Sequence, residues 1–117
     1  MHELAITQSV VDAVTERTGD ARVARVRVRV GRLAGVVPDA MRFCFELVTA
    51  GTPLDGAALE FEQPEGRGHC RTCGAEFVLA DLILLCPCGS ADVEVVAGRE
   101  LAVASVVLAV PAGTTDS

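Results

Sequence analysis

The chain has 117 residues, 16 of them acidic and 10 basic, for a net charge of −6. That length fits one domain, or one domain with a small insertion, and the acidic balance argues against a nucleic-acid surface as the main function. Half of the residues are apolar, enough for a core without disulfides. With four Phe and no Trp or Tyr, that core has to be built from Val, Leu, Ala and Ile. All basic residues are Arg, which we read as genome composition rather than chemistry.

In chain order, Glu3 to Thr18 reads as a helix. Leu4, Ile6, Val10, Val11 and Val14 form its apolar face, Glu3 suits the first turn, and Gly19 stops it. Arg22 to Val30 alternates as a strand, with Ala24, Val26, Val28 and Val30 on one face and Arg25, Arg27 and Arg29 on the other. The arginine face reads as the solvated side of a sheet, with a docking face for an acidic partner as the alternative. After a turn at Gly31 and Gly35, Pro38 to Ala50 reads as a second helix. Pro38 suits its first position, Gly51 its C-terminal cap, and Pro53 prevents continuation. Met41, Cys44, Phe45 and Val48 recur at helical spacing, so Cys44 reads as a small buried hydrophobe. Ala57 to Glu62 alternates as a strand with Leu59 and Phe61 inward, and Gln63 to Gly68 has the composition of a hinge.

A cysteine segment follows from His69 to about Asp92. After it come Val93 to Val96, a turn at Gly98, and Leu101 to Val110. That last apolar run is about half the length needed to span a bilayer and reads as a buried strand. The last seven residues carry no apolar pattern and read as disordered. The expected fold is α+β: a small three-stranded sheet with two helices on one face, plus an inserted zinc-ribbon subdomain. The expected division is residues 1–64 with 97–110, then the ribbon at 65–96, then the tail at 111–117.

Four of the five cysteines, Cys70, Cys73, Cys86 and Cys88, lie in that segment as CRTC and CPC. Two thiolate pairs at this separation can close on one ion, and tetrahedral Zn²⁺ is the natural occupant. Gly74 permits the bend of the first knuckle. The second pair has one intervening residue where a ribbon has two, so its turn has to be strained or its ligands displaced. Four thiolates leave no open position for water, which disfavours hydrolysis and favours a structural role. A thiol redox site is a second reading. His69, adjacent to Cys70, is expected to lie outside the coordination sphere. Met1-His2-Glu3 is not a basic leader segment, so paired cysteines here read as cytoplasmic metal binding.

The amino terminus offers a different donor set. The Met1 amine, the His2 amide and the His2 imidazole can form adjacent chelate rings, and the Glu3 amide can complete a plane. Square-planar nitrogen donation suits Ni²⁺ or Cu²⁺. A helix that starts here leaves its first N–H groups without internal partners, free to lose a proton to a metal.

These two sites together resemble the HypA/HybF family of hydrogenase nickel-incorporation accessory proteins. The resemblance runs from Met1 to about Val110. It is carried by Met1-His2-Glu3-Leu4, Val30-Gly31-Arg32-Leu33, Phe43-Cys44-Phe45-Glu46, the cysteine segment with Cys88-Gly89-Ser90, and Gly98-Arg99-Glu100-Leu101. It implies a nickel metallochaperone, not an enzyme, for maturation of [NiFe]-hydrogenase. Met1, His2 and Glu3 would be the nickel residues and the four cysteines the ligands of structural zinc. It also implies two partners: a nickel-handling GTPase and the hydrogenase large-subunit precursor. A side-chain carboxylate has been considered as a further nickel ligand in some members; no motif assigns it here, and Asp39 is the candidate. The Cys86-Pro87-Cys88 spacing departs from the family's usual pattern. The competing reading is a zinc-ribbon interaction module without nickel function, which gives Met1 and His2 no role. A thiol oxidoreductase is the third.

Overall fold

The computed structural model describes residues 2–109, with side chains from residue 3 onward. The expected tail at 111–117 lies outside the described residues. Two helices and six strands follow in the order α1 (His2–Thr18), β1 (Val23–Val30), α2 (Pro38–Thr49), β2 (Ala58–Glu62), β3 (Gly66–Cys70), β4 (Glu76–Leu79), β5 (Val93–Ala97) and β6 (Leu101–Leu108). The strands form two three-stranded sheets, ordered β2-β1-β6 and β4-β3-β5.

The chain divides into two compact units. The first comprises residues 1–28, 36–61 and 102–117. The second comprises residues 29–35 and 62–101, so it reaches beyond 65–96 on both sides and takes in the turn after β1.

In the first unit, β1, α2 and β2 form a crossover. The Val23 N–H bonds the Pro53 carbonyl, and further along Arg27 pairs with Glu60, so β2 runs parallel to β1. β6 lies on the other side of β1. The helices cover the apolar face. Val10, Val11 and Val14 of α1, Val26 and Val28 of β1, Met41 and Phe45 of α2, and Leu59 of β2 are buried. Arg42 ties α2 to β2: its guanidinium donates to the Leu59 carbonyl at 2.7 Å and lies 4.7 Å from the centre of the Phe61 ring. Gly51, just past the end of α2, has φ +77°, the left-handed conformation that glycine adopts without a Cβ penalty.

Several expectations change. Leu4 is half exposed, and buried Thr7 stands in its place on the α1 stripe. The first turn extends past its cover, and the Thr7 hydroxyl is satisfied by the Glu3 carbonyl one turn back. Cys44 is only half-buried, because the inward line of α2 runs through Met41, Phe45 and Thr49 and passes beside it. On β1, Ala24 and Arg25 are both exposed, so strict alternation begins only at Val26.

The arginine face is solvated, as expected, but its arginines are paired. Arg25 and Arg27 pair with Glu60 at 3.3 and 3.0 Å, and Arg29 pairs with Glu62 at 3.1 Å. These are cross-strand pairs on the face away from the helices, each worth a fraction of a kcal/mol (about 0.2–1). Nor is β6 a buried strand. It forms an edge of its sheet, and none of its residues is fully buried.

The largest correction concerns residues 63–68. In place of a hinge, Gly66–Cys70 is the central strand of the second sheet. It pairs antiparallel with β4, Gly66 opposite Leu79, and with β5, Cys70 opposite Val93. Its glycines serve close packing. A Cβ on Gly66 would come within 2.5 Å of both the Leu33 side chain and the Leu79 carbonyl, and one on Gly68 within 2.9 Å of Val93. Around them, the Arg32 N–H bonds the Pro64 carbonyl and the Leu33 N–H bonds the Gly98 carbonyl.

Gly66→Ala is therefore expected to lower the unfolding free energy by about 1–3 kcal/mol or more, through overpacking. Gly56, at φ +82° with nothing within 4 Å of its Cβ position, should cost only about 1 kcal/mol on replacement by Ala, from backbone strain alone. Urea denaturation of the two variants checks the contrast.

Candidate metal centres

The four cysteines reach one place by two routes. Cys70 is the last residue of β3, and a tight turn closed by the Gly74 N–H on the Cys70 carbonyl brings Cys73 back beside it. Gly74 takes φ +80°. The second knuckle sits on a loop closed by the Cys86 N–H on the Ser90 carbonyl and the Gly89 N–H on the Cys86 carbonyl, with Gly89 at φ +98°. The sulfurs all lie within 4.8 Å of one another. Cys70 to Cys88 is 3.8 Å and Cys73 to Cys86 is 3.6 Å.

Those separations test what the site fits. A Zn–S bond of about 2.3 Å in a tetrahedron implies sulfur–sulfur edges of about 3.8 Å. Four soft donors at that spacing fit Zn²⁺. They occupy every tetrahedral position, which agrees with a structural ion rather than a catalytic one.

The short second knuckle is not a defect. In the first, the Cys73 N–H points at the Cys70 sulfur at 3.4 Å; in the second, the Cys88 N–H points at the Cys86 sulfur at the same 3.4 Å. The missing residue shortens the turn but preserves the amide-to-sulfur bond that orients the leading thiolate. Each knuckle thus has one buried leading cysteine, Cys70 or Cys86, and one exposed trailing cysteine, Cys73 or Cys88.

Without a cation the four thiols cannot ionise together. The Cys73 amide holds the Cys70 thiol down at about 6, against the opposing effect of burial. Cys86 receives similar help from the Cys88 amide, but burial and the neighbouring sulfurs outweigh it and push the thiol up to about 12. The cluster therefore retains protons that a bound metal displaces. Val93, Phe77 and Leu84 pack around the two buried cysteines.

His69 is not among the clustered ligand groups. It lies on β3 in register with Glu76 and Glu94, one residue before Cys70 and hence on the opposite face of the strand. Residues 71, 72, 90 and 92 flank the sulfurs and were given no role by spacing. The Arg71 guanidinium meets the Asp92 carboxylate at 2.7 Å, and the Thr72 and Ser90 hydroxyls share a hydrogen bond at 2.8 Å.

Of the amino-terminal residues, Met1 and the His2 side chain lie outside the described residues. His2 is the first residue of α1, and Glu3 is half-buried in its first turn. The Glu3 carboxyl is held below the ordinary carboxylate range, first by its own backbone N–H and to a smaller degree by that of Val37. Val37 is the N-cap of α2 and offers no side-chain cap of its own. The first turn of α2 carries Asp39.

Comparison with known proteins gives one consistent result. Residues 1–108 match the family model described as hydrogenase/urease nickel incorporation, metallochaperone, hypA. A hydrogenase maturation factor HypA from Geotalea uraniireducens is 50% identical over 104 residues, covering 88% of this chain and 94% of the relative. One from Streptomyces avermitilis is 46% identical over 112 residues, covering 91% and 86%. The solution structure of the Ni metallochaperone HypA from Helicobacter pylori shares the fold, with a TM-score of 0.63 at 19% identity, covering 91% of this chain and 96% of that one.

Titration with Co²⁺ should produce the ligand-field bands of a tetrahedral four-sulfur site, saturating at one ion per chain. Cys86→Ser should abolish or strongly shift those bands, and Cys44→Ser should leave them intact. Absorption spectroscopy reads all three.

Proposed function

The chain belongs to the HypA family of hydrogenase/urease nickel-incorporation metallochaperones, and from that premise we propose that it carries Ni²⁺ at its amino terminus. It holds Zn²⁺ at Cys70, Cys73, Cys86 and Cys88, and it passes nickel on without catalysing a reaction. The observation that carries this reading is the closure of the four-sulfur cluster. With every tetrahedral position filled by a cysteine, that site has no open coordination position for handing an ion on. A cargo site has to be elsewhere, and the donors suited to nickel are the Met1 amine, the His2 amide and imidazole, and the Glu3 amide.

This arrangement separates holding from release. Donors at the start of α1 lie ahead of the first bond of the helical ladder, so taking or losing a metal there leaves that ladder intact. An incoming protein can approach the open side of a terminal chelate. The recipients we propose are a nickel-handling GTPase and the precursor of the hydrogenase large subunit, in the cytoplasm. No described helix is long and apolar enough to cross a membrane.

His2→Ala is expected to abolish nickel binding while zinc stays at one per chain, measured by metal analysis after titration with Ni²⁺. Residues added before Met1 should do the same, because they remove the amine donor; undiminished nickel affinity in such an extended protein would defeat the terminal site. Nickel affinity should also fall as pH falls, since the amine, imidazole and amide donors all bind only after losing protons. Cys73→Ser should release zinc and unfold the second unit while the helix–sheet unit stays largely folded, which far-UV circular dichroism and metal analysis together resolve.

A further inference from the structure

We propose that two side-chain contacts bridging the cysteine knuckles, Thr72 with Ser90 and Arg71 with Asp92, hold the thiolate pairs crossed and so keep the four-sulfur site closed to the nickel cargo. The proposal rests on the zinc and nickel reading above and deepens it, by naming what keeps the two metals apart.

Each knuckle fixes its own pair of sulfurs through its turn and its amide-to-sulfur bond. Neither turn fixes the twist of one pair about the other. The bridging contacts do. Both residues between the first two cysteines are tied to the segment after the second two. The Thr72 and Ser90 hydroxyls meet at 2.8 Å, and Arg71 meets Asp92 at 2.7 Å with Glu94 further off at 3.9 Å. The backbone repeats the tie, with the Arg71 N–H on the Asp92 carbonyl at 3.0 Å. Ser90 is the node: its carbonyl accepts from the Cys86 N–H at 2.9 Å and its hydroxyl from the Asp92 N–H at 3.1 Å. A rotation of the second knuckle against the first has to break the Thr72–Ser90 bond or drag Cys86 with it.

That rotation is what would make the site more favourable to nickel. Affinity alone separates Ni²⁺ from Zn²⁺ poorly, and geometry has to discriminate. Zn²⁺ has no geometric preference of its own and accepts crossed pairs of thiolates. Ni²⁺, unlike d10 Zn²⁺, gains ligand-field stabilisation in a plane that a tetrahedron denies it, so a site held crossed favours zinc over nickel. Flattening the site turns one sulfur pair a quarter turn about the other and pulls Thr72 from Ser90 and Arg71 from Asp92. Arg71 and Asp92 are half exposed, at 52% and 60% of the side chain, so the pair adds little to overall stability. Its effect is on the orientation of ligands, where outer contacts act most strongly.

The test uses full-length, zinc-loaded protein carrying His2→Ala, so that the terminus takes no nickel. Excess Ni²⁺ is added, zinc release is followed with a colorimetric chelator, and nickel–thiolate charge-transfer absorption is read in the near ultraviolet. Thr72→Val with Asp92→Ala should exchange zinc for nickel roughly tenfold more readily than the parent. Thr72→Val alone, a change at an exposed residue, should move in the same direction, and Thr72→Ser, which keeps the hydroxyl, should behave as the parent. The proposal is overturned if the double variant exchanges no faster than the parent, or if Thr72→Ser exchanges as freely as Thr72→Val. A parent protein without zinc would overturn this proposal and the zinc reading together; a zinc-bound parent with indifferent variants overturns this proposal only.

Discussion

Four sulfur atoms within 4.8 Å of one another define the second unit's chemistry and much of its folding. Such a cluster is stable as thiolates only around a cation, because each ionisation raises the cost of the next. The spread between Cys70, near 6, and Cys86, near 12, expresses that repulsion in the metal-free chain. The apolar support is slight: Val93 is buried with the two leading cysteines, and Phe77 and Leu84 only partly so. A three-stranded sheet with so small a core depends on the metal for a substantial part of its folding free energy. Glycine packing supplies the rest of the constraint. Gly66 and Gly68 let the central strand lie against Leu33, Leu79 and Val93 at distances no side chain would allow.

The first unit is stabilised differently. Its buried residues are chiefly Val, with Met41, Phe45, Leu54 and Leu59, so hydrophobic burial between two helices and one sheet does the work that the metal does in the other unit. Its charged face is self-contained. Glu60 pairs with both Arg25 and Arg27 within the sheet.

How much of this could be read from sequence depended on what kind of signal each element carried. α1, β1, α2, β2 and β6 were legible to within a residue or two because hydrophobic period and Pro or Gly punctuation agreed. β3 was not, because Gly66 and Gly68 look like breakers until their neighbours are known; the same residue type serves flexibility in one context and close approach in another. β4 has four residues and only one of them, Leu79, is buried, which leaves no period to detect. The burial of β6 was misjudged because an apolar run says nothing about which strand forms the edge. The cysteine quartet was fully legible, since thiolate spacing is itself the signal. The contacts bridging it were not: Thr72 and Ser90 are 18 residues apart, Arg71 and Asp92 are 21 apart, and nothing in their types marks them as partners.

The two proposed metal sites would differ in what must move when the ion leaves. Removing the ion from the cysteines uncovers four sulfurs, two of them buried, at the end of the central strand of a sheet. The loss is therefore coupled to unfolding, and exchange is slow for as long as the sheet stands. A metal at the amino terminus would be bound by groups ahead of the first helical hydrogen bond. Its departure would be governed chiefly by its own donors and the protons that replace it. A protein that has to retain one ion for its lifetime and surrender another on contact needs these two situations in one chain, and the donor types divide accordingly. In the proposed reading, sulfur from crossed loops would give permanence and nitrogen at the amino terminus exchange.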